Sequence, residues 1–194
     1  MEYTVLMGSP RKSGNTAALI KPFLEELELR NVRGETIWLY DKQIFPCTAC
    51  RACQKDWTIF GCASHDDAGE LFDTILARDL IVLATPSYSW YCTPPMKAIL
   101  DRLMYGMNKY YGDAKGPSLW AGKKVALVVT CGYKPEKGAD LLEEGIKRYC
   151  RHSQLNYLGM LAERDLGYQS VFWDEEKEKN SRSFAQEILK SLIS

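Results

Sequence analysis

The chain has 194 residues, 46% of them hydrophobic and 26% charged, and its 25 basic and 25 acidic residues give a formal net charge of zero. That length suits one domain that buries roughly 70% of its unfolded surface, and the charge balance argues against nucleic acid or an anionic membrane as the main partner. No stretch approaches the ~18 apolar residues of a membrane span, no secretory signal is expected at the N-terminus, and seven cysteines in such a chain point to a reducing cytoplasm.

Residues 3–7 (Tyr-Thr-Val-Leu-Met) form an apolar run stopped by Gly8 and Pro10, which predicts a short buried strand. A loop rich in hydroxyls follows, Gly8-Ser9-Pro10-Arg11-Lys12-Ser13-Gly14-Asn15-Thr16, and then apolar residues at helical spacing over 17–27. A strand feeding a small-residue loop that opens a helix suits an anion, because the first helical turn carries unpaired N–H groups and a partial positive charge. Ser9, Ser13, Asn15 and Thr16 add donors, and Arg11 or Lys12 can supply the countercharge. A nucleoside triphosphate loop needs G-x-x-x-x-G-K-[ST], but Gly8 and Gly14 are one residue too far apart and Asn15 stands where the Lys belongs. The G-x-G-x-x-G dinucleotide pattern is absent too. A single phosphate monoester fits better, with an ordinary capped turn as the plain alternative.

Further along, strands are predicted over 35–40, 80–84, 124–130 and 155–161, and helices over 68–76, 96–104, 135–150 and 175–193. Ser64 to Asp67 reads as a capping box, and Thr93-Pro94-Pro95 as a cap with an early proline. The strands over 80–84 and 124–130 are almost continuously apolar, as parallel strands covered on both faces should be. Five strands alternating with helices predict an α/β fold of three layers: a flavodoxin-like, five-stranded parallel sheet of order 2-1-3-4-5. The whole chain, 1–194, is expected to be one such domain, with a cysteine-rich insertion at about 46–62. Ligands of such sheets sit beyond the carboxyl ends of the strands. The long loop over 105–117 is functional or a contact surface.

The loop 8–16, the cysteine segment, T-P-S-Y over 85–88 followed by M-K-A-I-L-D-R over 96–102, and T-C-G over 130–132 occur in the order seen in the NAD(P)H-dependent FMN reductase family, which the chain resembles over roughly residues 1–135. The resemblance implies FMN as cofactor, NAD(P)H as co-substrate and a homodimer or higher homo-oligomer with the flavin near the subunit interface. By position, it places Ser9, Arg11, Ser13, Asn15 and Thr16 on the phosphate. It places Pro86, Ser87, Tyr88, Ser89 and Trp90 along the ring, and Thr130, Cys131 and Gly132 at its far edge. Lys97, Asp101 and Arg102 match the family motif but read as structural, a helix face with an i,i+4 charged pair.

Cys47, Cys50, Cys53 and Cys62 are spaced C-x2-C-x2-C-x8-C. Four thiolates can close around a [4Fe–4S] cluster, and the segment also resembles that of the iron–sulfur flavoproteins, although their last gap is commonly shorter. Zinc suits four thiolates as well, and many related reductases keep cysteines here without any metal, which is the reading we expect. Cys92, Cys131 and Cys150 read as buried small side chains, and His65 and His152 as isolated capping or surface groups. The expected activity is an FMN-dependent oxidoreductase in which NAD(P)H delivers hydride to flavin N5. The reduced flavin then passes electrons to a small acceptor such as free flavin or a quinone. No side chain is nominated as acid or base, because the cofactor carries the chemistry. Tyr88 and Trp90 would shape the open face, and the aromatics of 105–111 would cover a neighbour's flavin. The alternatives are an iron–sulfur flavoprotein and a flavodoxin-like electron carrier.

Overall fold

The apolar runs assemble into one parallel sheet. In the computed structural model, which describes residues 1–193, the strands are β1 (Glu2–Met7), β2 (Arg33–Trp38), β3 (Leu80–Pro86), β4 (Lys124–Cys131) and β5 (Asn156–Arg164). Their order is β2-β1-β3-β4-β5, the order that the alternation of strands and helices predicts. The helices are α1 (Asn15–Leu29), α2 (Ala68–Ala77), α3 (Pro94–Met107), the single turn α4 (Pro135–Gly138), α5 (Asp140–His152) and α6 (Glu175–Ile193). Among them none is long and apolar enough to cross a membrane.

Period-two alternation divides each buried strand between two cores. Leu6, Ile81, Leu83, Leu127 and Val129 face a cluster completed by α2, α3 and α5. Val5, Met7, Val82, Ala84 and Val128 face α1 and α6. Both sides of β1, β3 and β4 are therefore dry, which explains why these strands read as unbroken apolar runs.

Several boundaries differ from the sequence expectation for local reasons. The second strand ends at Trp38, because Leu39–Asp41 wind into a 3-10 turn. The helix expected over 135–150 is interrupted at Ala139, so α4 and α5 are separate. Ser64 to Asp67 does not form a reciprocal capping box: no side chain of Asp67 caps α2, while Asp66 accepts from the Ala68 N–H at 3.2 Å. Thr93 is the N-cap residue of α3, but its hydroxyl donates to the Gly8 carbonyl at 2.8 Å. The residue chosen as a cap thus ties α3 to the loop after β1.

Phe23 is fully buried between α1 and the sheet, with the Phe184 ring of α6 at 5.6 Å. Phe23→Ala should lower stability by about 3–5 kcal/mol, read as a fall in the urea midpoint at unchanged slope.

Candidate functional site

Parallel strands deliver their carboxyl-end loops to one edge, and a cavity of about 540 Å3 opens there. Its floor begins at Gly8, whose N–H continues the ladder to the Ala84 carbonyl at 2.7 Å. A Cβ at Gly8 would stand 2.8 Å from Thr93 Oγ1 and 3.1 Å from Thr85 Oγ1, so only glycine lets the loop pass. The chain then curls back on itself: the Arg11 N–H donates to Ser9 Oγ at 3.2 Å, and the Gly14 N–H to the Arg11 carbonyl at 3.1 Å. Gly14 is the N-cap of α1 and no side chain caps the helix. The first-turn N–H groups are thus left for a ligand.

Ser9, Arg11, Asn15 and Thr16 line this cavity, and Ser13 does not. Lys12 is engaged at 2.6 Å by Asp41, whereas Arg11 has no carboxylate partner among the described residues, so Arg11 is the available cation. Thr16 and Thr130 share a hydrogen bond between hydroxyls at 2.8 Å, locking α1 to β4. On the opposite wall stand Pro86, Ser87 and Tyr88, and at the far edge Thr130, Cys131 and Gly132. Burial pushes the Cys131 thiol up to about 11, with Glu163 adding to the effect. At neutral pH it is a protonated thiol and a poor nucleophile.

Ser89 and Trp90 stand outside the cavity lining. Both have positive φ, 51° and 61°, between reciprocal backbone hydrogen bonds of Tyr88 and Tyr91 at 2.8 and 3.0 Å. This is a two-residue hairpin turn built without glycine, which is strained. The Trp90 indole donates to the Lys137 carbonyl at 2.9 Å and stacks on Tyr133, which holds the ring outward.

One wall was missed by sequence reasoning. The turn after β5 brings Asp165, Gly167, Tyr168 and Ser170 to the cavity. Asp165 accepts from the Asn15 side chain at 2.8 Å and from the Gly167 N–H at 3.0 Å. Asp-x-Gly is a turn signature, so the turn was legible, though its position against α1 was not.

A second, smaller cavity of about 210 Å3 is ringed by Cys47, Cys50, Cys53 and Cys62 together with Arg102 and Tyr111. The intervening backbone is wound tightly, with Ala49 and Arg51 at φ 54° and 60°. Such alternation turns N–H groups inward: the Ala49 N–H reaches Cys47 Sγ at 3.4 Å. The Ala52 N–H does the same for Cys50 and holds that thiol below its ordinary value. Cys53 is pushed up by burial, which outweighs Gln54 and Lys109. Among the described residues no three Cys, His, Asp or Glu side chains converge on a single-ion site.

The segment is clamped from outside. Asp66 and Arg102, both buried, pair at 2.8 Å, and Asp66 also accepts from the Phe45 N–H at 2.8 Å. The Gln54 amide donates to the Asn108 carbonyl at 2.9 Å and accepts from the Tyr111 N–H at 3.1 Å. The expected loop over 105–117 begins only after α3 ends at Met107, and it packs on the cysteine segment in this chain. Tyr105 and Tyr111 line the smaller cavity, and neither lines the larger one.

A family model described as NADPH-dependent FMN reductase matches residues 1–145. An iron-sulfur flavoprotein of Archaeoglobus fulgidus is 30% identical over 151 residues, covering 77% of this chain and 64% of that protein. An iron-sulfur flavoprotein of Methanosarcina thermophila is 33% identical over 103 residues, covering 53% of this chain and 52% of that one. The chain thus spans between half and two thirds of the length of these relatives. In structure it is similar to RosB solved with bound 8-demethyl-8-formylriboflavin-5'-phosphate. The TM-score is 0.75 at 20% identity, over all of this chain and 80% of that one, a likeness of fold.

Burial alone would raise the Asp66 carboxyl, but Arg102 and the Phe45 and Ala68 N–H groups outweigh it and hold the group below its ordinary value. A depressed folded-state pKa stabilises fully above the unfolded value of about 3.9 and is lost as pH falls through the folded one. Asp66→Asn should cost about 3 kcal/mol at neutral pH, and urea titrations should show that cost shrinking as the pH drops below about 4.

Proposed function

Because the chain belongs to the NADPH-dependent FMN reductase family, we propose that it is an FMN-dependent oxidoreductase that takes hydride from NAD(P)H and reduces a small acceptor. The observation that carries this reading is the uncapped start of α1 facing a 540 Å3 cavity beside Arg11, which has no carboxylate partner among the described residues. A volume of that size lies within the range of cofactor sites, about 300–1,000 Å3. FMN, when bound, supplies the hydride-accepting ring, and the protein supplies placement and electrostatics.

The residues divide that work. The N–H groups at Asn15 and Thr16 and the Arg11 guanidinium would hold the phosphate dianion, a charge-assisted arrangement. The Thr16–Thr130 hydroxyl pair keeps that helix start in register with β4, whose loop would meet the polar edge of the ring. Pro86 and Tyr88 offer apolar surface, and Tyr88 is 47% exposed, which leaves room for nicotinamide and acceptor on one side. Asp165, which accepts from the Asn15 amide and the Gly167 N–H, orients Asn15 at the helix start.

A second reading, that the protein also holds a [4Fe–4S] cluster, is favoured by the cysteine cavity. Four thiols ring one space, and backbone N–H groups point at two sulfurs. A compact group larger than one ion suits that donor set. The residues that would hold it are Cys47, Cys50, Cys53 and Cys62.

Titrating the apoprotein with FMN, followed by flavin absorbance and by NADH or NADPH oxidation with a quinone, tests the first reading. Saturable one-to-one binding and turnover are expected, and a protein that binds no FMN defeats it. Arg11→Ala should weaken FMN binding by roughly tenfold to a hundredfold, the value of a hydrogen bond to a charged group. Anaerobic purification with iron and sulfide analysis tests the second, with about four irons per chain expected.

A further inference from the structure

Two buried cations stand at the cysteine cavity: Arg102 lines it, and Lys109 lies behind it, near enough for its charge to act on Cys53 and Cys62. Arg102 is 3% exposed and Lys109 is 1% exposed. The Arg102 Nη atoms are satisfied by both oxygens of Asp66 and by the Phe45 carbonyl. Its Nε–H, on the same buried guanidinium, has no nitrogen or oxygen partner among the described residues, and the Cys62 thiol is close enough to act on the guanidinium.

Lys109 has no carboxylate within ion-pair distance among the described residues. Its Nζ donates to two neutral acceptors, the carbonyls of Cys53 at 2.7 Å and Phe60 at 3.1 Å. These carbonyls bracket the segment that separates the third and fourth cysteines. Asp66 pairs directly with Arg102, whereas the nearest carboxylate acting on Lys109 is the exposed Asp56, beyond ion-pair distance, so the buried ammonium has no direct anionic partner among the described residues. Burial of an unpaired charge is costly, and an orphaned buried N–H adds to the cost. A negative group in the cavity would offset both costs.

We propose that Lys109 and Arg102 are the counter-charges of an anionic, thiolate-held group at Cys47, Cys50, Cys53 and Cys62, and that they raise its reduction potential. The inference rests on the cluster reading above. Four thiolates around a [4Fe–4S]2+ core carry a total charge of −2, and one-electron reduction by an added reductant takes it to −3. No proton or bond is exchanged in that step. A fixed cation close by stabilises the −3 form more than the −2 form, and an N–H donated to sulfur acts in the same direction. Lys109 is thus a positioning residue twice over: it pins the Cys53 and Phe60 carbonyls and it supplies the charge.

The full-length, FMN-loaded protein and its Lys109→Met, Lys109→Arg and Arg102→Lys variants would be reconstituted anaerobically with ferrous iron and sulfide. Iron per chain and the midpoint potential from an EPR-monitored dithionite titration are then read. Lys109→Met should lower the equilibrium constant for reduction about tenfold, a shift of about 59 mV for one electron. Lys109→Arg should restore the wild-type value. Arg102→Lys keeps the charge and loses the Nε–H, so it should shift in the same direction by less.

A wild-type protein that takes up no iron defeats the cluster reading and this inference with it. A cluster whose potential is the same in Lys109→Met and wild type defeats the inference alone. If the variants lose their circular dichroism, the wild-type protein labelled with 15N-arginine decides the matter. Pulsed EPR of its reduced form should then show a nitrogen coupling that survives Arg51→Gln, and absence of that coupling overturns the assignment.

Discussion

All five strands run the same way, and most of what this protein presents follows from that. A parallel sheet sends every carboxyl end to one edge. The loops leaving β1, β3, β4 and β5 therefore meet around a common cavity although they are far apart in sequence. The price is that the sheet's interior strands must be apolar on both faces, and they are. Polar chemistry is confined to the loops, where backbone N–H groups and small side chains face the opening.

The cysteine segment obeys a different constraint. It has little regular structure beyond one 3-10 turn, Ala52–Gln54, so its backbone groups need partners from elsewhere. Asp66 and Arg102 hold the N–H and carbonyl of Phe45 at its edge, Lys109 holds the carbonyls of Cys53 and Phe60, and Gln54 reaches out of the segment to Asn108. The helix motif that reads as a surface charged pair divides in two. Lys97 and Asp101 do pair on the exposed face, while Arg102, the next residue, is buried and clamps the cysteines. One residue of helical rotation, about 100°, separates a solvated pair from a buried one.

Much of the architecture was legible because it is local. The phosphate-type loop shows itself through Gly8, Gly14 and the hydroxyls between strand and helix. The strands show through apolar runs, and the sheet order through the alternation of elements. What was not legible concerns direction and partnership. Trp90 was expected along the ring, yet a strained turn and the Lys137 carbonyl hold it outward. Thr93 was expected to cap a helix and instead reaches Gly8. The loop after α3 meets the cysteine segment through Gln54, a partnership that no local pattern announces.

The sequence by itself determined the elements, their order, the anion-suited loop and the presence of four cysteines at close spacing, since each depends on residues within a few turns of one another. Only the tertiary structure decided which side chains close each cavity. Asn15 and Asp165 meet across 150 residues, Cys53 and Lys109 across 56, and Asp66 and Arg102 across 36. Contacts over such separations are set by how α1, α3 and the β5 turn pack on the sheet, and packing is a property of all the faces together. No spacing within one segment encodes it.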